Sequence, residues 1–173
     1  MIATSSQLAA KTVAFWPTLA IVACGDFITK RIAEATLTLH VPHPVVGDWV
    51  RFTLLYNTGA ALNISLGEFS RVGLSAVAVT MLGILYRMYR QLAVHDAGQA
   101  VALGLIAGGA LGNLLDRIRS ANGVVDFIDI GTSGWRFYTF NVADAGVTVG
   151  AVLLSALLLR RPSADPPGSR YLS

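Results

Sequence analysis

Four long apolar stretches alternate with shorter polar ones along the chain. The first runs from about Thr12 to Thr29, interrupted by Pro17 and by Asp26 near its end. The second, about Val72 to Met88, is uncharged up to Arg87, and the third, about Ala97 to Leu115, is rich in Gly and Ala. The fourth, about Phe140 to Leu159, carries a single charge, Asp144. Each suffices to cross a bilayer core as a helix, for which about 17–25 residues serve. A soluble core built from four such helices would leave too few amphipathic partners to cover them, so the pattern predicts four transmembrane spans.

The segments between spans one and two, and between three and four, predict strands. Ala35–Val41 and Trp49–Tyr56 are β-prone and separated by Pro42, Pro44 and Gly47. Val124–Ile130 and Trp135–Tyr138 flank Gly131-Thr132-Ser133-Gly134, a hairpin pattern. The expected fold is therefore a mainly α membrane protein, four transmembrane helices capped by a small β-sheet cradle. Gly104, Gly108 and Gly112 form overlapping GxxxG patterns that suit close helix packing.

Composition agrees. Of 173 residues, 54% are hydrophobic and 13% charged, about half the charged share of an ordinary soluble domain. A net charge of +3 without clustered Lys/Arg and aromatics argues against nucleic acid as a partner. Cys24 is the lone cysteine, which excludes an internal disulfide. An even number of spans puts both termini on one side. Lys11, Arg87, Arg90, Arg160 and Arg161 mark that side as cytoplasmic. Lys30, Arg31, Arg51, Arg71, Arg117 and Arg119 lie toward the other side. One domain is expected over residues 1–160, with outer β-rich loops at about 31–68 and 118–139. Residues 161–173 read as a disordered cytoplasmic tail.

The polar residues of the spans follow the topology. Asp26 ends span one, Asn113, Asp116 and Arg117 end span three, and Asn141 and Asp144 begin span four. Ends of odd spans and starts of even ones face the same side, so these groups converge at one depth, together with Asn57 and Asp126 of the loops. A single structural ion pair, such as Arg117 with Asp116 or Asp144, accounts for one or two of them but not for the whole set. Asp26 and Lys30 stand i,i+4 with the acid first, the favourable order for a helix pair. Two carboxylates brought close cannot both ionise, so one takes a proton from an attacking water while the other, protonated, polarises a carbonyl. Such chemistry needs no cofactor and no metal.

At these residues the chain resembles the lipoprotein signal peptidase (signal peptidase II) family. The shared segments are Asp26-Phe27-Ile28-Thr29-Lys30, Asn57-Thr58-Gly59-Ala60-Ala61, the run from Gly108 to Arg117 (GGALGNLLDR), Val124-Val125-Asp126-Phe127-Ile128 and Phe140-Asn141-Val142-Ala143-Asp144. The resemblance implies an aspartyl protease of the inner membrane with Asp126 and Asp144 as its catalytic dyad. It implies that Asn57, Gly59, Asn113, Arg117 and Asn141 line the substrate site, supported by Asp26, Lys30 and Asp116. Diacylglyceryl-prolipoproteins are the implied substrates, membrane lipids the surroundings, and globomycin-type compounds the implied inhibitors. Phe27, where the family usually has Gln, and Leu62-Asn63, where it usually has an aromatic first, depart from the pattern.

Other chemistries are weaker. Ser133 in a GxSG turn would need an intramembrane His for a serine mechanism, but His40, His43 and His95 all lie outside the spans. His40-Val41-Pro42-His43 lacks a third zinc ligand, and its proline opposes a helix. Ile21-Val22-Ala23-Cys24 resembles a lipobox, yet further spans follow it where a lipoprotein has a soluble domain. A proton-coupled transporter or channel subunit would place its acids near the midplane, whereas these gather at one interface.

Overall fold

The computed structural model describes residues 5–59 and 70–160, with side chains from residue 10 onward. Ala60-Ala61, Leu62-Asn63 and the tail lie outside the described residues. Four helices form: α1 (Ser5–Thr36), α2 (Ser70–Gln91), α3 (Ala97–Arg119) and α4 (Val142–Leu159). All four contain runs long and apolar enough to span a membrane.

Helix α3 is the centre of the bundle, packed against α1 and α4 most extensively and against α2 as well. Its glycines allow this. A Cβ at Gly104 would stand 2.8 Å from the Phe15 carbonyl oxygen of α1, and one at Gly108 would stand 2.7 Å from that of Leu19. On the α4 side the relation is reciprocal, since a Cβ at Gly150 would lie 2.8 Å from the Ala102 oxygen. Where α1, α2 and α3 meet, Phe15 stacks on Tyr89 at 4.2 Å beside Leu85, Ala100, Leu103 and Ala107.

Helix α2 is also held at its ends. Lys11 Nζ donates to the carbonyls of Arg90 (3.3 Å) and Leu92 (2.9 Å) at its finish. At its start, Arg71 Nε donates to the Arg117 carbonyl (2.6 Å) and Nη2 to that of Ile118 (3.3 Å), near the end of α3. Carbonyls in a last helical turn lack intrahelical partners and carry the negative end of the dipole, so cations suit them.

Beyond the helices lies one antiparallel sheet of β1 (His43–Val46), β2 (Val50–Asn57), β3 (Val124–Thr132) and β4 (Trp135–Arg136), in that order. Thr132 pairs with Trp135, so Ser133-Gly134 is the hairpin turn that the sequence predicts. Two expectations are corrected. Ala35–Val41 is not a strand: α1 continues to Thr36, whose hydroxyl donates to the Ile32 carbonyl, and beyond it Leu39 makes only an isolated bridge to Leu54. The first strand instead contains Pro44, tolerated because β1 is the sheet edge.

A buried carboxylate locks the strands together. Asp129 of β3 accepts from Arg51 Nη2 (2.8 Å) and Thr53 Oγ1 (3.1 Å) of β2 and from Arg136 Nε (2.7 Å) of β4. Burial pushes its carboxyl upward, but the hydrogen bonds from Arg136, Arg51 and Thr53 outweigh that and hold it below its ordinary value.

Candidate active site

The site forms where the sheet meets the C-terminal ends of α1 and α3 and the N-terminal end of α4. Asn141 caps α4: its Oδ1 accepts from the Asp144 backbone N–H (2.9 Å), and Asp144 Oδ2 accepts from the Asn141 N–H (3.3 Å). This reciprocal capping box fixes the Asp144 carboxylate at the first turn of the helix. Asp126 arrives on β3, whose register sets it opposite Leu55 of β2. Asn141 touches both acids, because its Nδ2 also donates to Asp126 Oδ1 at 2.6 Å.

Each carboxylate has a second amide. Asn57 Nδ2 donates to Asp126 Oδ2 (3.1 Å), and Asn113 Nδ2 donates to Asp144 Oδ1 (2.8 Å). The Gly59 N–H donates to Asn57 Oδ1 (3.1 Å) and so orients that amide toward Asp126. Asp126 is 3% exposed. Burial, and then the nearby Asp144 charge, push its carboxyl up to about 7, against the downward pull of the Asn57 and Asn141 hydrogen bonds.

Behind this pair lies a second polar layer. Lys30, fully buried, ion-pairs with Asp26 (2.7 Å) and Asp116 (2.9 Å) and donates to Asn113 Oδ1 (2.9 Å). Its ammonium is thus neutralised by two carboxylates and hydrogen-bonded to one amide oxygen. Asp26 Oδ1 accepts from the Ala143 N–H (2.9 Å) of α4, and Asp116 Oδ2 accepts from the Val125 N–H (3.1 Å) of β3. These two acids therefore tie α4 and the sheet to the helix pair. Gly112 makes room, since a Cβ there would stand 2.5 Å from Asp26 Oδ2.

Asp126, Asp144, Asn57, Gly59, Asn113, Arg117, Asn141, Asp26, Lys30 and Asp116 all lie in this region, but some partners differ from those expected. Asp116 pairs with Lys30 and with Arg31 (3.3 Å) and Arg119 (3.6 Å), not with Arg117. Arg117 donates to the Asn113 carbonyl (3.1 Å), and of the carboxylates around it Asp144 acts on its charge most strongly. Asn113 and Asn141 hold the two acids, with Asn141 Nδ2 also reaching Asn113 Oδ1 (3.2 Å) and the Val125 carbonyl (3.2 Å). Arg31 and Glu34 were not singled out by sequence, although they form an i,i+3 ion pair. Glu34 also accepts from the Tyr56 hydroxyl of β2 (3.2 Å), joining sheet to helix. Phe27 faces outward beneath the Arg31 guanidinium, 5.4 Å from the ring centre.

The chain as a whole is similar to known proteins. Residues 18–160 match the family model described as signal peptidase (SPase) II. A lipoprotein signal peptidase of Streptomyces coelicolor is 38% identical over 149 residues, covering 83% of this chain and 68% of the relative. One of Ectopseudomonas mendocina is 39% identical, covering 76% and 79%. One of Coxiella burnetii is 36% identical, covering 87% and 94%. Two solved bacterial membrane enzyme structures, each 30% identical, superpose with TM-scores of 0.77 and 0.74. The first covers 87% of this chain and 90% of its own.

Proposed function

The chain belongs to the signal peptidase II family, and from that membership we propose that it is an aspartyl endopeptidase removing signal peptides from diacylglyceryl-modified prolipoproteins. Asp126 and Asp144 act as one unit on the peptide bond just before the lipidated cysteine. The observation that carries this reading is the shared grip of Asn141, with Nδ2 on Asp126 (2.6 Å) and N–H on Asp144 (3.3 Å).

A single proton on the pair gives both functions needed. The carboxylate takes a proton from water as the oxygen attacks the scissile carbonyl; the acid polarises that carbonyl and then protonates the leaving amine. Asp126, raised to about 7, suits the acid near neutral pH. Arg117 is the cation beside the dyad and the group best suited to a substrate carbonyl. Asn57 and Gly59 orient Asp126, and globomycin-type inhibitors would occupy the same place.

The dyad lies toward the outer face with both termini cytoplasmic. Lys11, Arg87 and Arg90 at the opposite end of the bundle support that orientation. The four helices with their sheet act as one protease domain.

Asp126→Asn and Asp144→Asn, each retaining size, are expected nearly to abolish processing without unfolding the bundle. The measurement is accumulation of uncleaved diacylglyceryl-prolipoprotein in membranes containing each variant. Near-normal processing by either one refutes the dyad.

A further inference from the structure

We propose that Lys30 is a positioning residue for the dyad: by occupying the carbonyl side of Asn113 it forces the amide NH2 onto Asp144, making Asp144 the base and leaving the shared proton on Asp126. This rests on the dyad reading above.

Lys30 has hydrogens to give and no lone pair to offer, so the Asn113 atom 2.9 Å from its Nζ must be the oxygen. Asn141 Nδ2, 3.2 Å from the same atom, demands the same orientation. The Asn113 nitrogen is then fixed toward Asp144 Oδ1 at 2.8 Å, and it can only donate there. An ionised Asp144 accepts that bond more strongly than a protonated one, and an Asn113 turned to present its oxygen instead would need a protonated Asp144 to donate to it.

The charges around the two acids agree. From α3, Arg117 acts most strongly on Asp144, with Asp126 and Asp116 next. From its own helix, Asp144 has the Asn141 N–H and the first-turn position that favours a negative charge. Among the described residues, Asp126 on β3 meets the neutral amides of Asn57 and Asn141 at hydrogen-bond distance. Lys30 itself faces Asp26 from α1 and Asp116 with Asn113 from α3. Its charge also acts on Asp126, lowering that carboxyl, but less than burial, the Asp144 charge and the amide bonds of Asn57 and Asn141 do; its directional bond to Asn113 is what bears on Asp144.

Removing Lys30 alone would strand two buried acids, and neutralising those acids alone would strand its buried charge, so Lys30→Met and Lys30→Gln are each combined with Asp26→Asn and Asp116→Asn and compared with the parent, using the full chain in proteoliposomes and a diacylglyceryl-modified prolipoprotein peptide. In that combination Lys30→Met is expected to lower kcat about ten- to a hundred-fold with KM little changed. It is also expected to move the acid limb of the pH–kcat profile upward by about one pH unit, the shift equivalent to a tenfold loss of preference for the ionised base. Lys30→Gln, which keeps an N–H for Asn113, should recover most of the rate and the limb. A purely structural lysine would change melting and KM and leave the limb in place.

Met and Gln variants with the same rate and the same acid limb as each other overturn the proposal. A second arm does not depend on those variants folding. Infrared spectra at pH 6 should show a protonated-carboxyl stretch in the parent that is missing from Asp126→Asn, and its persistence there overturns the assignment of the proton. The Asp144→Asn enzyme is assayed alongside: brisk cleavage by it removes the dyad reading itself, while an inactive Asp144→Asn with an unmoved Lys30→Met limb removes only this inference.

Discussion

Gly109→Ala adds one methyl group where α3 meets the first turn of α4. The new Cβ would lie against the Ala143 carbonyl oxygen and 2.8 Å from Val147 Cγ2. An ordinary contact begins near 3.4 Å, so the helices must part locally by at least about 0.6 Å. Asn113 sits one turn further along α3, and Asp144 is the residue after Ala143, so the opening falls on their 2.8 Å hydrogen bond. Stretched by the same amount, that bond reaches about 3.4 Å, where little of its strength remains. Overpacking of this kind costs roughly 1–3 kcal/mol of stability. Loss of a hydrogen bond to a charged group, about 1.5–3 kcal/mol, corresponds to roughly a ten- to 150-fold fall in kcat/KM. The assay is cleavage of a prolipoprotein substrate beside a thermal melt, with Gly83→Ala of α2 as control, since nothing lies within 4 Å of a Cβ at that position. If Gly109→Ala cleaves and melts like Gly83→Ala, the tight α3–α4 contact does not set the geometry of the acids.

Stability should depend on pH through Asp126. Its carboxyl rises from 3.8 when unfolded to about 7 when folded, so its contribution is full below about pH 4 and is lost as pH rises through about 7. Thermal melts should fall by the equivalent of a few kcal/mol over that window and level off above it, while Asp126→Asn shows no such slope; a parent melt that climbs across the window refutes this. Ser133→Ala, or His40, His43 and His95 together replaced by Gln, should cleave within a few-fold of the parent. A fall of about a thousandfold, the size expected on removing a nucleophile or its base, would restore the serine or metal reading.

Much of the architecture is legible in hydropathy, because a bilayer demands long uncharged runs, and α2 and α3 begin and end within a few residues of the expected places. Helix α1 exceeds expectation because Lys30 and Glu34 look like loop residues until their partners Asp26, Asp116 and Tyr56 are seen. The alternation Ala35-Thr36-Leu37-Thr38-Leu39 imitates a strand, yet Thr36 returns its hydroxyl to the preceding turn. The gathering of acids and amides at one level followed from span parity alone. Their pairing did not. Asp116 and Arg117 are adjacent in sequence, but neighbours on a helix point about 100° apart, so Asp116 turns to Lys30 of α1 while Arg117 lies nearer the Asp144 and Asp126 charges. Nor can spacing reveal that an amide such as Asn113 already has partners within the protein, since those partners come from α1 and α4.

The Asp26–Lys30 pair has a consequence for how the protein is made. Of the links that Lys30 makes to Asp26, Asn113 and Asp116, it is the one formed within a single helix, at i,i+4 and 2.7 Å. During synthesis α1 emerges about eighty residues before Asn113 and Asp116 of α3. For that interval the nascent helix must enter the bilayer carrying an acid and an amine that would each resist insertion alone. Facing one another across one turn, they enter as a neutral couple. The same lysine that in the finished fold joins α1 to Asn113 and Asp116 of α3 therefore first serves as the counter-ion of Asp26 within its own helix.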